Sequence, residues 1–266
     1  MLTWNLDPLV LTGLLLATWI YWRGRSGGPR RRSDRWRARC FAGGLLAIAV
    51  ALVSPLDALS GALASAHMVQ HVLLVLIAAP LLALAAPSST LLRGSPPAVR
   101  RASGRWRRRL GLTHTTLAPL RHPVAVWLAH VATLWFWHAR VPYDAALSND
   151  LVHAVEHATF LVTAVLFWRV TVGARGAGRV SPGFGVLLVF TMALQSVFLS
   201  VLLTFARTPW YDGYAATTQL WGLDHLADQQ LAGVIMWVPA GLVYVVAGLA
   251  LLVTWVQSAE RDGIEV

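Results

Sequence analysis

The sequence predicts an all-α polytopic membrane protein, a bundle of seven transmembrane helices with the N-terminus outside and the C-terminus cytoplasmic. Three observations carry this expectation. Of the 266 residues, 56% are apolar and only 13% charged, far less charge than a soluble surface of this size carries. The apolar residues fall in runs of about 17 to 25, long enough to cross the hydrocarbon core as helices. The net charge of +10 is made entirely with arginine, clustered between those runs. In a soluble domain such a charge would point to nucleic acid. Between apolar runs it points to orientation in a membrane instead, and no nucleic-acid partner is expected.

A single transmembrane domain accounts for residues 1–266, with spans at Leu6–Trp22, Phe41–Leu56, Leu63–Ala86, Val124–Trp137, Val152–Val172, Phe184–Phe205 and Leu231–Val256. The first run has no basic segment before it and an arginine cluster after it, so it reads as a span and not as a cleaved leader. The second and fourth are short. Eight arginines lie between Arg23 and Arg39, eight between Arg93 and Arg121, and three between Arg169 and Arg179. Seven spans put all of these on one face together with Arg261, and leave only Arg140 and Arg207 opposite. The positive-inside rule makes the arginine face cytoplasmic. Trp135, Trp137, Tyr143, Trp210, Tyr211, Tyr214 and Trp221 then read as anchors at the outer interface, and Trp22, Trp36, Trp168 and Trp255 as anchors at the inner one.

This orientation sends seven of the nine histidines to the outer half. His67 and His71 open the third span, and His153 and His157 open the fifth. His225 precedes the seventh, His138 closes the fourth, and His130 lies about two turns deeper. His114 and His122 read as solvated residues of the cytoplasmic arginine loop. An i,i+4 spacing places two side chains on one helix face. His67-Met68-Val69-Gln70-His71 and His153-Ala154-Val155-Glu156-His157 repeat one pattern at one depth, and His225-Leu226-Ala227-Asp228-Gln229 is a variant of it. The three helical hairpins therefore share a plan, and their histidines suggest one shared site. Ionisable groups inside spans face the bundle interior and mark function. Neutral imidazole suits copper, zinc, iron or nickel, so a metal or a metal-centred cofactor is expected at the outer face.

Other features have plainer readings. Thr191, Gln195, Ser200 and Thr204 form a polar stripe that reads as interhelical hydrogen bonding. Pro80 and Pro239 mark kinks or breaks. Met192 and Met236 read as core packing, with passage of Cu(I) as an alternative use. Cys40 is the sole cysteine, which excludes an intrachain disulfide. The outer segment from Arg207 to Ala227, rich in Tyr and Trp, is a candidate partner surface.

The longer motifs resemble a known family. Asp228-Gln229-Gln230-Leu231-Ala232-Gly233-Val234-Ile235-Met236-Trp237-Val238-Pro239 carries most of the likeness. It is joined by His67-Met68-Val69-Gln70-His71 with Ala79-Pro80, Trp137-His138, and His153-Ala154-Val155-Glu156-His157 with Leu166-Phe167-Trp168. Together they resemble the CtaG family of assembly factors for caa-type haem–copper cytochrome c oxidases. The resemblance implies a multi-pass protein of the bacterial plasma membrane that supplies copper to oxidase subunits and is not an enzyme. It makes His67, His71, His153, His157, Glu156 and Asp228 the metal-binding candidates, with His138 next. His225 stands outside the family's usual pattern. No copper-binding domain is appended here, so a separate periplasmic copper chaperone is an expected partner. Two other classes fit parts of the sequence. His153-x-x-Glu156-His157 matches the inverted motif of zinc metalloproteases, and facing histidines could hold a haem b in an electron carrier.

The orientation is testable with reporter fusions. A reporter active only outside the cytoplasm should work when fused near Ser148 or Gln219 and stay silent near Ser103 or Gly176. Activity at Ser103 would overturn the span count.

Overall fold

Every regular element among the described residues is helical. The computed structural model describes residues 3–26, 32–111, 118–119, 122–173 and 180–264. His114 and arginines 30, 31, 121, 175 and 179, used above, lie outside them. In chain order the helices are α1 (Pro8–Arg25), α2 (Arg32–Leu52), α3 (Pro55–Ser60), α4 (Ala64–Val72), a π-helical segment (Leu73–Ala78), α5 (Ala79–Ala85), α6 (Ser88–Gly94) and α7 (Pro97–Arg109). After them come α8 (Pro123–His138), α9 (Arg140–Ser148), α10 (Asp150–Thr171), α11 (Pro182–Thr204) and α12 (His225–Ile264).

Four helical stretches are long and apolar enough to cross a membrane: Ala64–Ala85, Asp150–Thr171, Pro182–Thr204 and His225–Arg261. Helices α1, α2 and α8 occupy the other three expected spans. The shortest, α8, has 16 residues and so is about 24 Å long. Helix α2 begins nine residues before the apolar run, because arginine and alanine are good helix formers and continue it backwards. Helix α12 begins six residues before Leu231. The Asp224 side chain accepts the N–H groups of Leu226 and Ala227, at 3.0 and 3.3 Å, and so fixes the helix start at His225. Hydropathy does not announce α3, α6, α7 or α9. In α9, Arg140 pairs with Asp212 and lies 3.9 Å from Asp144, tying this short helix to the segment after α11.

The core is built round α4, α10 and α12. Helix α11 lies along α12, α8 lies along α10, and α2 covers the π segment and α5, with α1 outside against α2 and α6. Gly233 permits the close approach of α11 and α12, since a Cβ there would run into Thr204 and the Ser200 carbonyl.

The expected break at Pro80 takes a specific form. The stretch before it is π-helical, with Ala79 N–H bonded to the Leu74 carbonyl five residues back. In that register Pro80, which lacks an N–H, leaves the Val75 carbonyl free. Trp168 Nε1 donates to that carbonyl at 2.9 Å. Trp168 is therefore a buried clamp, 1% exposed, and not the interface anchor expected from the sequence. Helix α12, by contrast, runs through Pro239 without interruption.

The polar stripe of α11 contributes less between helices than expected. Gln195 accepts the Trp135 indole N–H of α8 at 3.0 Å. Thr191 and Ser200 instead donate to carbonyls of their own helix, which is the local alternative open to any helical Ser or Thr.

The Trp168 clamp yields a stability prediction. Trp168→Phe keeps an aromatic ring but orphans a buried carbonyl, at a cost of about 1–3 kcal/mol. The apparent melting temperature of detergent-purified protein should drop by roughly 2–8 °C. Trp255→Phe, at a half-exposed position, should change it little.

Candidate metal centre

Helix α4 starts inside the bundle, so its first N–H groups need a partner other than water. Asp228, fully buried on α12, provides it. Its carboxylate accepts Ala64 N–H at 2.6 Å, Ser65 N–H at 3.2 Å and Ser65 Oγ–H at 2.5 Å. The neighbouring glutamines hold the chain beyond α11. Gln229 Oε1 accepts Trp210 N–H at 2.6 Å, and Gln230 Nε2 donates to the Ala206 carbonyl at 3.1 Å. The Asp-Gln-Gln run thus serves as a clamp that sets where α4 begins. Both Asp228 oxygens are taken up in this role, which separates Asp228 from the other candidate ligands.

Helix α4 then presents His67 and His71 to α10. The Nε2 atoms of these two histidines are 3.0 Å apart. Glu156 of α10 lies beside both, its oxygens 3.4 Å from His67 Nε2 and 3.5 Å from His71 Nε2. Ring centroids of His67 lie 5.2 Å from His153 and 5.8 Å from His157, while His71 lies 5.4 Å from His157 and 5.9 Å from His138. One ligand atom each from His67, His153, Glu156 and His157 falls within 4.8 Å of all the others. Nitrogen ligands at metal-bond length in a tetrahedron stand roughly 3.3 Å apart, so modest side-chain closure would complete such a set. The two histidine pairs therefore converge, and His71 and His138 border the set on one side.

The motif's middle residues diverge. Gln70 occupies the place in its pattern that Glu156 occupies in the other, yet it turns away. Its amide donates to the Ala51 carbonyl at 2.7 Å and to Asp57 at 2.9 Å, joining α4 to α2 and α3. Glu156 is 0% exposed, and neither of its oxygens receives a hydrogen bond. The Nε2 atoms of His153 and His157 are likewise buried without a hydrogen-bond partner. Buried polar atoms are normally paired, and a bare carboxyl beside bare imidazoles is the arrangement a cation completes.

Three tyrosines that read as interface anchors cover this cluster instead. Tyr143, Tyr211 and Tyr214 are each at most 1% exposed. Tyr143 stacks on Tyr211 at 3.7 Å and lies 5.2 Å from the His67 ring. Tyr211 donates to the His138 carbonyl at 3.0 Å. Tyr214 donates to the Ser60 carbonyl at 3.0 Å and lies 3.2 Å from His67 Nδ1. With the Tyr214 proton given to Ser60, His67 Nδ1–H donates to the Tyr214 oxygen and leaves Nε2 as a lone pair towards Glu156. Burial pushes both loop phenols above their usual range, which keeps them as donors. His225 is committed elsewhere, its Nε2 donating to the Tyr211 carbonyl at 2.8 Å. The segment from Arg207 to Ala227 is thus partly an internal cover. Leu220 and Trp221 remain exposed on it. Asp57, which accepts from Gln70, is not singled out by the sequence, and the three tyrosines are singled out there only as anchors.

With this geometry described, comparison with known proteins is informative. Residues 15–258 match the family described as cytochrome c oxidase caa3 assembly factor (Caa3_CtaG). The chain belongs to that family. Proteins described as uncharacterised from Mycobacterium bovis and Mycobacterium tuberculosis are each 27% identical to it over 272 residues, covering 97% of this chain. The chain spans 40% of the length of each of these curated relatives. No solved structure matches. In this Caa3_CtaG member, the matched range includes both the residues that clamp α4 and those of the histidine cluster.

The two buried carboxyl groups should respond oppositely to neutralisation in metal-free protein. Glu156→Gln removes an unpaired buried acid and should leave thermal stability unchanged or raise it by up to about 2 kcal/mol. Asp228→Ala strips the α4 N-terminus of its acceptor and should cost about 1–3 kcal/mol. Thermal unfolding in detergent with a chelator present reads both, and a loss of stability in Glu156→Gln would show that the carboxyl is already compensated.

Proposed function

We propose that this assembly factor carries copper as cargo, holding it at His67, His153, Glu156 and His157 and passing it to cytochrome c oxidase subunits. One observation carries the reading: a fully buried carboxyl group without a hydrogen-bond donor, with imidazole nitrogens from two helices gathered round it. Imidazole with one carboxylate is a donor set that suits copper, and the oxidase served by the family is a copper enzyme. The chain makes and breaks no covalent bond in this role, and no residue is assigned as catalytic.

In this reading α1, α2 and α8 cross the bacterial plasma membrane with the four longer stretches, giving seven spans with the N-terminus outside. The support is the arrangement of charge. Arg23, Arg25 and the arginines of α7 follow inward-running helices at the end of the bundle away from the histidines, as the positive-inside rule requires. Copper then enters from the periplasmic side, delivered by a separate copper chaperone. Leu220 and Trp221 offer a site where the oxidase could dock.

A bare ion suits the site better than the two alternatives do. A zinc protease would need a polypeptide to reach Glu156 past three packed tyrosines. A haem b would need a slot for its macrocycle, whereas the adjoining cavity is about 40 Å³.

The test is a His67→Ala,His157→Ala variant expressed as the only copy. It removes one imidazole from each helix and leaves the apolar spans untouched, so its abundance in membranes should be normal. Oxidase activity and the copper content of purified oxidase should each fall at least about tenfold, as for loss of metal support, with partial recovery in excess copper. His122→Ala, an exposed position, should behave as wild type. Full copper loading by the double variant would remove these histidines from delivery and favour a scaffolding role.

A further inference from the structure

Met68, Met192 and Met236 come from three different helices, α4, α11 and α12, yet line one buried cavity of about 40 Å³ with His71, His130 and His138. Apart from Met1 these are all the methionines in the chain. The histidines on this cavity have a defined state. His138 Nδ1 lies 2.8 Å from the Leu134 carbonyl, which only accepts, so the proton sits on Nδ1. His130 Nδ1 lies 3.0 Å from Thr163 Oγ1, whose own proton goes to the Thr159 carbonyl at 2.8 Å, so His130 is also protonated on Nδ1. Both therefore keep a lone pair on Nε2. Both Nε2 atoms are buried without a hydrogen-bond partner, as is Nδ1 of His71. Packing alone explains methionines in a core but leaves these imidazole nitrogens unpaired at a cost.

We propose that this cavity is a second metal site, selective for Cu(I), which shares His71 with the His67, His153, Glu156, His157 cluster. The inference rests on the copper reading for the identity of the cargo, but its donors are separate. Thioether sulfur is a soft ligand that selects Cu(I) over zinc or Cu(II). No carboxyl group lines the cavity, so an ion there keeps its full charge in an apolar surrounding. The cost of burying an ion grows with the square of its charge, which favours a monovalent one. His71 links the two sites, because it lines the cavity while its Nε2 lies 3.0 Å from His67 Nε2. Copper moves between them as Cu(I) by ligand exchange at this shared imidazole, with no change of oxidation state.

The experiment adds Cu(I) without oxygen, and zinc in parallel, to the purified full chain in detergent, and reads stoichiometry and X-ray absorption at the copper edge. Wild type should bind two Cu(I) with sulfur in the coordination shell, and one zinc. Met68→Leu,Met192→Leu,Met236→Leu keeps volume and apolarity and should lose one Cu(I) equivalent and all sulfur scattering while keeping zinc. His67→Ala,His153→Ala,His157→Ala should lose zinc and one Cu(I) but retain sulfur-bound copper. Sulfur-bound Cu(I) unaffected by this histidine variant, with no second Cu(I) and no zinc in wild type, supports the cavity site while refuting the cluster. Copper bound by nitrogen and oxygen alone in wild type overturns the cavity site and leaves the cluster standing. Sulfur scattering that survives the methionine variant also overturns it.

Discussion

A helix that begins inside an apolar bundle has N–H groups that no water will satisfy, and in this chain one side chain answers that need for α4. Asp228 takes three hydrogen bonds from Ala64 and Ser65, so α12 dictates where α4 starts. His67 and His71 stand one turn and two turns further along. Asp224 in turn caps α12, while Gln229 and Gln230 hold the chain leaving α11. A few consecutive residues thus fix the relative heights of α4, α11 and α12, and the depth of the histidines follows.

Polar groups in this bundle divide into those with partners and those without. Asp228, Trp168, Tyr211 and Tyr214 are buried and bonded, as is the amide nitrogen of Gln70. They tie helices together where hydrophobic contact alone would leave the register loose, because lipid offers helices no hydrophobic reason to associate. Among the described residues, unbonded buried atoms lie on His71, His130, His138, His153, Glu156 and His157, while Gln70, Trp127, Asp144, Thr204, Thr218 and Gln229 each leave one elsewhere. Each orphaned polar atom costs on the order of 1–3 kcal/mol, against a net stability of roughly 5–15 kcal/mol for a typical domain. A cation held among the His67, His153, Glu156 and His157 side chains would satisfy several of these atoms at once.

Much of this was legible in the sequence, for identifiable reasons. Long apolar runs located α10 and α11 to within two residues, because hydropathy marks the middle of a span well. Helix ends escaped it, because they depend on caps such as Asp224 and on arginines that prolong α2. The paired histidines were visible as i,i+4 repeats, and they meet. Their shared spacing also misled, since it equated Gln70 with Glu156, whereas tertiary contacts turn Gln70 towards Ala51 and Asp57. Asp228 looked like a ligand because an acid beside histidines usually does; only the start of α4 inside the bundle shows what it holds. Trp168, Tyr143, Tyr211 and Tyr214 lie near helix ends where aromatics commonly anchor in lipid headgroups, and sequence position does not distinguish that use from burial.

The π-helical segment at Leu73–Ala78 holds one residue more than an α-helix of the same length would need. One residue corresponds to a rotation of about 100°. The face of α4 that bears His67, Met68 and His71 is therefore out of phase with α5, which packs against α2 and α10. An ordinary α-helix through this stretch could satisfy one of those two facings but not both. The extra residue lets a single chain crossing turn one sector of its surface to the histidine partners on α10 and a different sector to its structural neighbours, and the bond from Trp168 holds that twist in place.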